Sequence, residues 1–313
     1  MKDVMQRNKT KEELLEQLLY SNVFRHPLTA EELIKYTSGS LSLEDIRSSL
    51  NEMIKTGLVH QSDEFYYVFS KGEKIQLRIE GQKKAAQLTP KAYKIARFIN
   101  KFPFIEGVGI SGSLSKGILH DDADFDFFII TQPNRLWVAR TLLILYKKVF
   151  LLNSRKYFCV NYFVDSEHLE IEEQNRFTAI EISTLIPVAG KSINAFFIQN
   201  LWVNNYFPNA DLNHDATPQL KKPLLGRFIQ FLLKGRLGEA MDKRMMKITF
   251  KRWNKKFGDF DKDKFDLTMK SRRYISKHHP NDFQSKVLKR HQDVIEEYRI
   301  KYANELQEQG VEL

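Results

Sequence analysis

Three short apolar runs, FIEGVGI at 104–110, DFDFFIIT at 124–131 and YFCVNYFV at 157–164, are separated by a Gly-Ser turn and by one helical stretch from Arg135 to Leu152. Runs of that length rich in Ile, Val, Phe and Tyr read as strands, and a helix between two of them predicts a mixed α/β core. The middle run carries a constraint that the others lack. Successive strand residues point to opposite faces, so Asp124 and Asp126 share one face while Phe125 and Phe127 take the other. Two carboxylates converging in a half-buried place repel, and they are costly to desolvate unless a cation neutralises them. A hard divalent cation does so with oxygen ligands, commonly one or two carboxylates plus substrate phosphates. Asp121 and Asp122, just ahead of the run, read as turn residues.

Ser111-Gly112-Ser113 precedes this run by a short interval. Glycine lets the backbone come close to a phosphate, and a turn leading into a helix offers free N–H groups and a hydroxyl to an anion. A Gly-Ser loop followed by Asp-x-Asp on an apolar strand therefore predicts a metal-dependent nucleoside triphosphate site. The stretch GISGSLSKGILHDDADFDFFIIT resembles the signature of the DNA polymerase beta-type nucleotidyltransferase superfamily. More broadly, a winged-helix-like N-terminal part, this core, then NRLWVAR and YFCVNYFVDSEHLEI are similar in order to a group of bacterial nucleotidyltransferase-like proteins, over roughly residues 10 to 205.

The resemblance implies an α+β fold with a nucleotidyltransferase-type mixed sheet. It implies that Ser111, Gly112 and Ser113 hold the triphosphate and that Asp124 and Asp126 bind Mg²⁺ or Mn²⁺. The reaction implied is attack by an acceptor hydroxyl on the α-phosphorus of a nucleotide, with pyrophosphate leaving. Lys116, Arg135 and Arg140 are candidates for added positive charge at the departing phosphates. The superfamily's usual third acid lies on the strand after the intervening helix, where this chain has Asn161. An amide cannot supply a negative charge or take a proton, so Asn161 is the catalytic position that departs from the pattern. Asp165 has the parity of Asn161 but reads as a turn residue at the strand end. The alternative reading is a catalytically weak nucleotide-binding regulatory protein, or a nucleic-acid-binding protein that uses the winged-helix-like part and the basic helices.

Ahead of this core, residues 10–24 repeat leucines at helical spacing, Thr29 with Glu32 and Ser42 with Asp45 form capping-box patterns, and Gly57 stands where a helix stops. LVHQSDEFYYVF then reads as two strands turned at Ser62-Asp63-Glu64. Three helices and a hairpin are the winged helix-turn-helix order, although Asp63 and Glu64 at the wing tip would repel DNA phosphates. The expected organisation is a winged-helix-like domain at 1–70, linker helices at 71–103 broken by Thr89-Pro90, a nucleotidyltransferase core at 104–190 and a helical, basic region at 191–313.

The net charge of +10 is concentrated in that last region. Between Lys221 and Lys256 twelve cations stand against Glu239 and Asp242 alone. Such a segment suits nucleic acid, anionic lipid or phosphate-bearing substrates. Leu224, Leu225, Phe228, Phe231, Leu232 and Leu233 within it read as an apolar face packed on the core, and the final helix from about Asn281 reads as solvent-exposed. The lone Cys159 excludes an internal disulfide and suits a reducing, cytoplasmic setting. No secretory signal is evident, and LWVARTLLILYKKVFLL at 136–152 is too short and too charged to cross a bilayer.

Overall fold

A computed structural model of the chain describes residues 2–39, 41–69, 73–120, 123–154, 156–214, 217–258, 260 and 262–313. Asp121 and Asp122, expected in a turn, lie outside the described residues.

Helix α1 (Lys2–Val23) is followed by a two-residue strand β1 (Leu28–Thr29), α2 (Ala30–Ile34), α3 (Leu43–Lys55) and the hairpin β2 (His60–Ser62) and β3 (Phe65–Tyr67). Thr29 and Ser42 cap α2 and α3 in full capping boxes with Glu32 and Asp45, and Gly57 leaves α3 at a positive φ of 80°. β1 was not expected. It pairs antiparallel to β3 and makes a three-stranded sheet in the order β1-β3-β2.

One continuous helix, α4 (Glu73–Asn100), replaces the two linker helices expected around Thr89-Pro90. Thr89 does not act as an N-cap acceptor. Its Oγ1 donates to the Ala85 carbonyl at 2.7 Å, and the helix runs on through Pro90, which merely lacks one donor.

The central part of the chain runs through β4 (Ile105–Ser111), a single turn of helix α5 (Gly112–Ser115), β5 (Asp126–Thr131), α6 (Leu136–Phe150) and β6 (Cys159–Asp165). Next come α7 (Arg176–Ser183), β7 (Ile186–Ala189) and α8 (Ser192–Gln199). The basic region supplies α9 (Leu224–Leu232), α10 (Arg236–Lys256) and α11 (Lys262–Thr268), and the chain continues through β8 (Ile275–Lys277), α12 (Phe283–Lys301) and α13 (Ala303–Gln309). The five strands lie in the order β7-β4-β5-β6-β8. Only β5 and β6, joined through α6, are parallel; the other pairs are antiparallel, so the sheet is mixed and open. β7 and β8 are short edge strands, and β7 tolerates Pro187 because an edge residue has no second partner to serve.

Both faces of the sheet are covered, as the continuous apolar character of β5 requires. Phe127 and Ile129 with Val160 and Phe163 meet α4 and α6, while Phe128 and Ile130 with Val164 meet α7 and α8.

Two expectations for the C-terminal region fail. α12 is not a solvent-exposed helix: Val294 and Tyr298 join the core of α1, α3 and the hairpin, and Tyr302, Leu306 and Val311 complete it. The buried positions of α12 recur at helical spacing, Val287, His291, Val294 and Tyr298, and the mixed charges between them conceal the stripe. The N-terminal module therefore includes the last helices. The apolar face of α9 is not packed on the core either. The helix rests on Gly226 and Ile229, with Leu233 just beyond it, and leaves Leu224, Leu225, Phe228, Phe231 and Leu232 outside.

Candidate active site

The site forms where β4 ends and β5 begins. Ser111 pairs with Asp126 across the antiparallel ladder, and the chain then turns at Gly112 with φ +72°. A Cβ on Gly112 would lie 2.5 Å from Asp126 Oδ2. The carboxylate thus occupies the space that only glycine leaves open. Ser115 Oγ donates to the Gly112 carbonyl at 2.9 Å, and Lys116 Nζ donates to the same oxygen at 3.1 Å and to Glu181 Oε1 at 2.8 Å.

β5 starts at Asp126, two residues past the expected start, and Asp124 and Asp126 both line the same cavity. Asp124 stands in the connection before the strand, although the ladder begins just past it: Phe125 N donates to the Lys156 carbonyl at 3.1 Å and Cys159 N to the Phe125 carbonyl at 2.9 Å. Its charge nevertheless reaches Asp126. Burial pushes the Asp126 carboxyl up to about 6; hydrogen bonds from Cys159 and Asn161 oppose the rise, and the charges of Asp124 and Glu181 add to it. No lysine or arginine is among the groups that set it.

Asn161 stands beside Asp126 on the cavity wall, and its Oδ1 accepts from the Cys159 thiol at 3.4 Å. Pairing between β5 and β6 slips between Phe127 and Phe128, so Asn161 is the residue left without a partner in the ladder. That bulge turns its side chain toward the site. Asp165 lies at the far end of β6. Its buried Oδ1 accepts from Glu167 N at 3.1 Å and meets His168 Nδ1 at 2.7 Å, so it organises the following turn.

These residues line a cavity of about 890 Å³. Ser111, Gly112, Ser113, Lys116, Asp124, Asp126 and Asn161 all contribute to its wall. Arg140 does too, but Arg135 does not. Its guanidinium is spent on the carbonyls of Asn134, Leu233 and Gly235, at 2.7, 3.0 and 3.0 Å, where it ties the start of α6 to α10. His120 is exposed and stands outside the cavity wall.

Sequence reasoning missed Glu181, which α7 brings to the cavity from 55 positions beyond Asp126. It missed as well the wall made by Trp253 and His278, whose rings stack 4.8 Å apart. Neither residue belongs to a local motif that would have marked it.

The donor set suits one hard divalent ion. Two carboxylates and an amide oxygen are its possible protein ligands, and burial raises the Asp126 carboxyl to about 6. Among the described residues no three acids, histidines or cysteines gather closely enough to cage a metal by themselves, so further ligands would have to come from water or substrate, as Mg²⁺ prefers. Among the described residues no helix is long and apolar enough to cross a membrane. No known protein family, no curated protein and no solved structure matches this chain.

Proposed function

We propose that the chain is a Mg²⁺- or Mn²⁺-dependent nucleotidyltransferase of the DNA polymerase beta type. The observation that carries this reading is the fit of the Asp126 carboxylate into the space left by Gly112, which makes the Gly-Ser turn and the acidic pair one surface. Asp124 and Asp126 would hold the metal, and the ion would neutralise charge and align the α-phosphate. Gly112 keeps its backbone free of a side chain at the point where phosphates would approach, and the Ser113 hydroxyl stands on the same wall. Lys116 is oriented by Glu181, so its ammonium is held at the turn. In the transfer, the acceptor oxygen forms a bond to the α-phosphorus, the α–β anhydride bond breaks, pyrophosphate leaves and the acceptor proton passes to solvent. Asn161 has no part in taking that proton and acts by positioning Asp126.

The test is pyrophosphate release from each of the four ribonucleoside triphosphates with Mg²⁺ or Mn²⁺ across hydroxyl acceptors of varied chemistry. Release that disappears in Asp126→Asn supports the reading; no release under any condition removes it.

A second reading follows from Asn161. A site lacking the third acid suits a sensor that binds nucleotide without turning it over, and calorimetry showing nucleotide affinity with no product would favour it. The N-terminal module has the helix and hairpin order of a winged helix, but its α3 face does not suit DNA. Arg47 is paired with Glu31 at 2.9 Å, and Asp63 and Glu64 share the wall of the same small cleft. We assign this module to docking of protein or substrate rather than to duplex reading.

A further inference from the structure

The cavity has a second polar end, opposite in charge to the first. Arg140, on α6, is 8% exposed and lines it. Its guanidinium lies 4.8 Å from the Trp253 ring and 5.7 Å from the Trp137 ring. Among the described residues its Nε has no hydrogen-bond partner, and the one charge felt beside it is that of another cation, Arg252. An arginine cannot shed its proton to escape burial, and a buried charge without a counter-ion is strongly unfavourable. Arg252 and Lys256, one turn apart on α10, and Lys147 and Lys148 at the end of α6 line the same space. The two ends meet at Cys159, which lines the cavity, donates its thiol to Asn161 Oδ1 at 3.4 Å and feels the charges of Asp126 and Lys147.

We propose that Arg140 and Arg252 form an anion subsite that grips a phosphate or carboxylate group of the acceptor while the acceptor's hydroxyl faces Asp124 and Asp126. The acceptor is then a small anionic hydroxy compound. Its identity as an acceptor rests on the nucleotidyl-transfer reading; the anion subsite itself does not. The nucleotide's own triphosphate is the other possible source of such an anion, and the test separates the two.

Inorganic phosphate is titrated into the full chain and followed by tryptophan emission, since Trp253 contacts the guanidinium. Saturable binding is expected, weakened roughly tenfold or more in Arg140→Gln and in Arg252→Gln and unchanged in Asp126→Asn. Arg252 is exposed, so its variant keeps the test usable if Arg140→Gln does not fold. Phosphate is expected to bind equally well with an α,β-methylene nucleoside triphosphate and Mg²⁺ present. Equal affinity in the arginine variants, or displacement of phosphate by the nucleotide analogue, overturns the proposal. A chain that binds phosphate at Arg140 but never releases pyrophosphate keeps the subsite and loses the transfer reading. One that turns over nucleotides without binding phosphate there keeps the transfer reading and loses this one.

A different surface carries its own inference. On α9, Leu224, Leu225, Phe228, Phe231 and Leu232 are 81, 69, 56, 74 and 50% exposed. The helix contains no acid, and the exposed Arg227, Lys234 and Arg236 flank these side chains. Five large apolar groups side by side on one short helix exceed the scattered exposure of an ordinary surface. The cations around them complement an anionic headgroup layer rather than a neutral one. The geometry points to α9 as an anchor lying on an anionic lipid surface.

Flotation with vesicles of phosphatidylglycerol and phosphatidylcholine is expected to carry the full chain, pure phosphatidylcholine vesicles far less, and the Phe228→Ser, Phe231→Ser double variant neither. Because both phenylalanines face outward, the double variant should fold. No flotation with the anionic vesicles overturns the inference, and so does a dimer in light scattering that the double variant dissociates, which would give the face to a second copy.

Discussion

Gly112, just past the Ser111–Asp126 pair that ends the β4–β5 ladder, lies so close to Asp126 that a methyl group on it would stand 2.5 Å from Asp126 Oδ2. This contact explains why the two halves of the motif occur together. The carboxylate fills the space above the turn, so the turn's backbone and the acid present one continuous polar wall to the cavity. Backbone φ at Gly112 is +72°, a conformation that side chains rarely adopt, and this is a second, independent reason for glycine.

Gly112→Ala is therefore expected to displace Asp126 rather than simply to fill space. The clash and the positive φ together should cost about 1 to 3 kcal/mol of stability. On the proposed function, nucleotidyl transfer should fall roughly a hundredfold or more, as expected when a group that positions the reaction is moved by an ångström. Urea unfolding and pyrophosphate release measure the two effects. Wild-type turnover in this variant would remove Gly112 from the site.

Asp126 should make the chain less stable as pH rises. Its carboxyl is raised from 3.8 to about 6, chiefly by burial, so the folded chain holds this proton more tightly than the unfolded chain. The group's effect is most favourable below about pH 4, declines between about 4 and 6, and is constant above. Asp126→Asn removes the decline. At pH 7.5 it should be more stable than wild type by about 1 to 3 kcal/mol, while near pH 4 the two should be nearly equal. Urea midpoints from pH 4 to 8 give the difference, and a variant less stable than wild type at pH 7.5 would contradict the burial of this charge.

The same carboxylate should couple stability to metal. With a dissociation constant of about 1 mM, Mg²⁺ at about 10 mM would add about 1.4 kcal/mol to the folded state, or roughly 2 °C in Tm for a chain of this size. The rise should vanish in Asp126→Asn, shrink in Asp124→Asn and disappear on adding excess chelator. An equal rise in all three proteins would place the ion elsewhere.

Local chemistry was legible in the sequence and long-range partnership was not. The capping boxes at Thr29 and Ser42, the stop at Gly57 and the turn at Gly112 each depend on residues within a few positions of one another. Thr89-Pro90 misled because the threonine hydroxyl had two uses, and only the packed helix selects donation to Ala85. The fate of Arg135 depended on carbonyls about a hundred positions away, and Glu181 reached the cavity only through the docking of α7. For α9, a high density of apolar residues predicted burial, yet the core offers room only for its Gly226 edge.

Asp242 shows how far such a partner can lie from its role, and its removal is the most direct test of how α6 is held. The residue before α6 is Arg135, which has no side-chain acceptor to cap the helix. Asp242, on α10 and fully buried, accepts from Trp137 N at 2.8 Å and Val138 N at 3.0 Å, the second and third residues of α6. It thus caps a helix from another helix, with its charge at the positive end of the dipole and Arg273 Nε 3.8 Å from its other oxygen. Asp242→Ala leaves two buried donors without their acceptor and removes the charge facing Arg273, and should cost about 2 to 4 kcal/mol. Asp242→Asn keeps one oxygen in place. Because burial already raises the Asp242 carboxyl above its ordinary range, loss of its charge is partly tolerated and this variant should lose less than half as much. Urea unfolding of the two variants decides it: equal losses would mean that the charge, and not the acceptor geometry, holds α6.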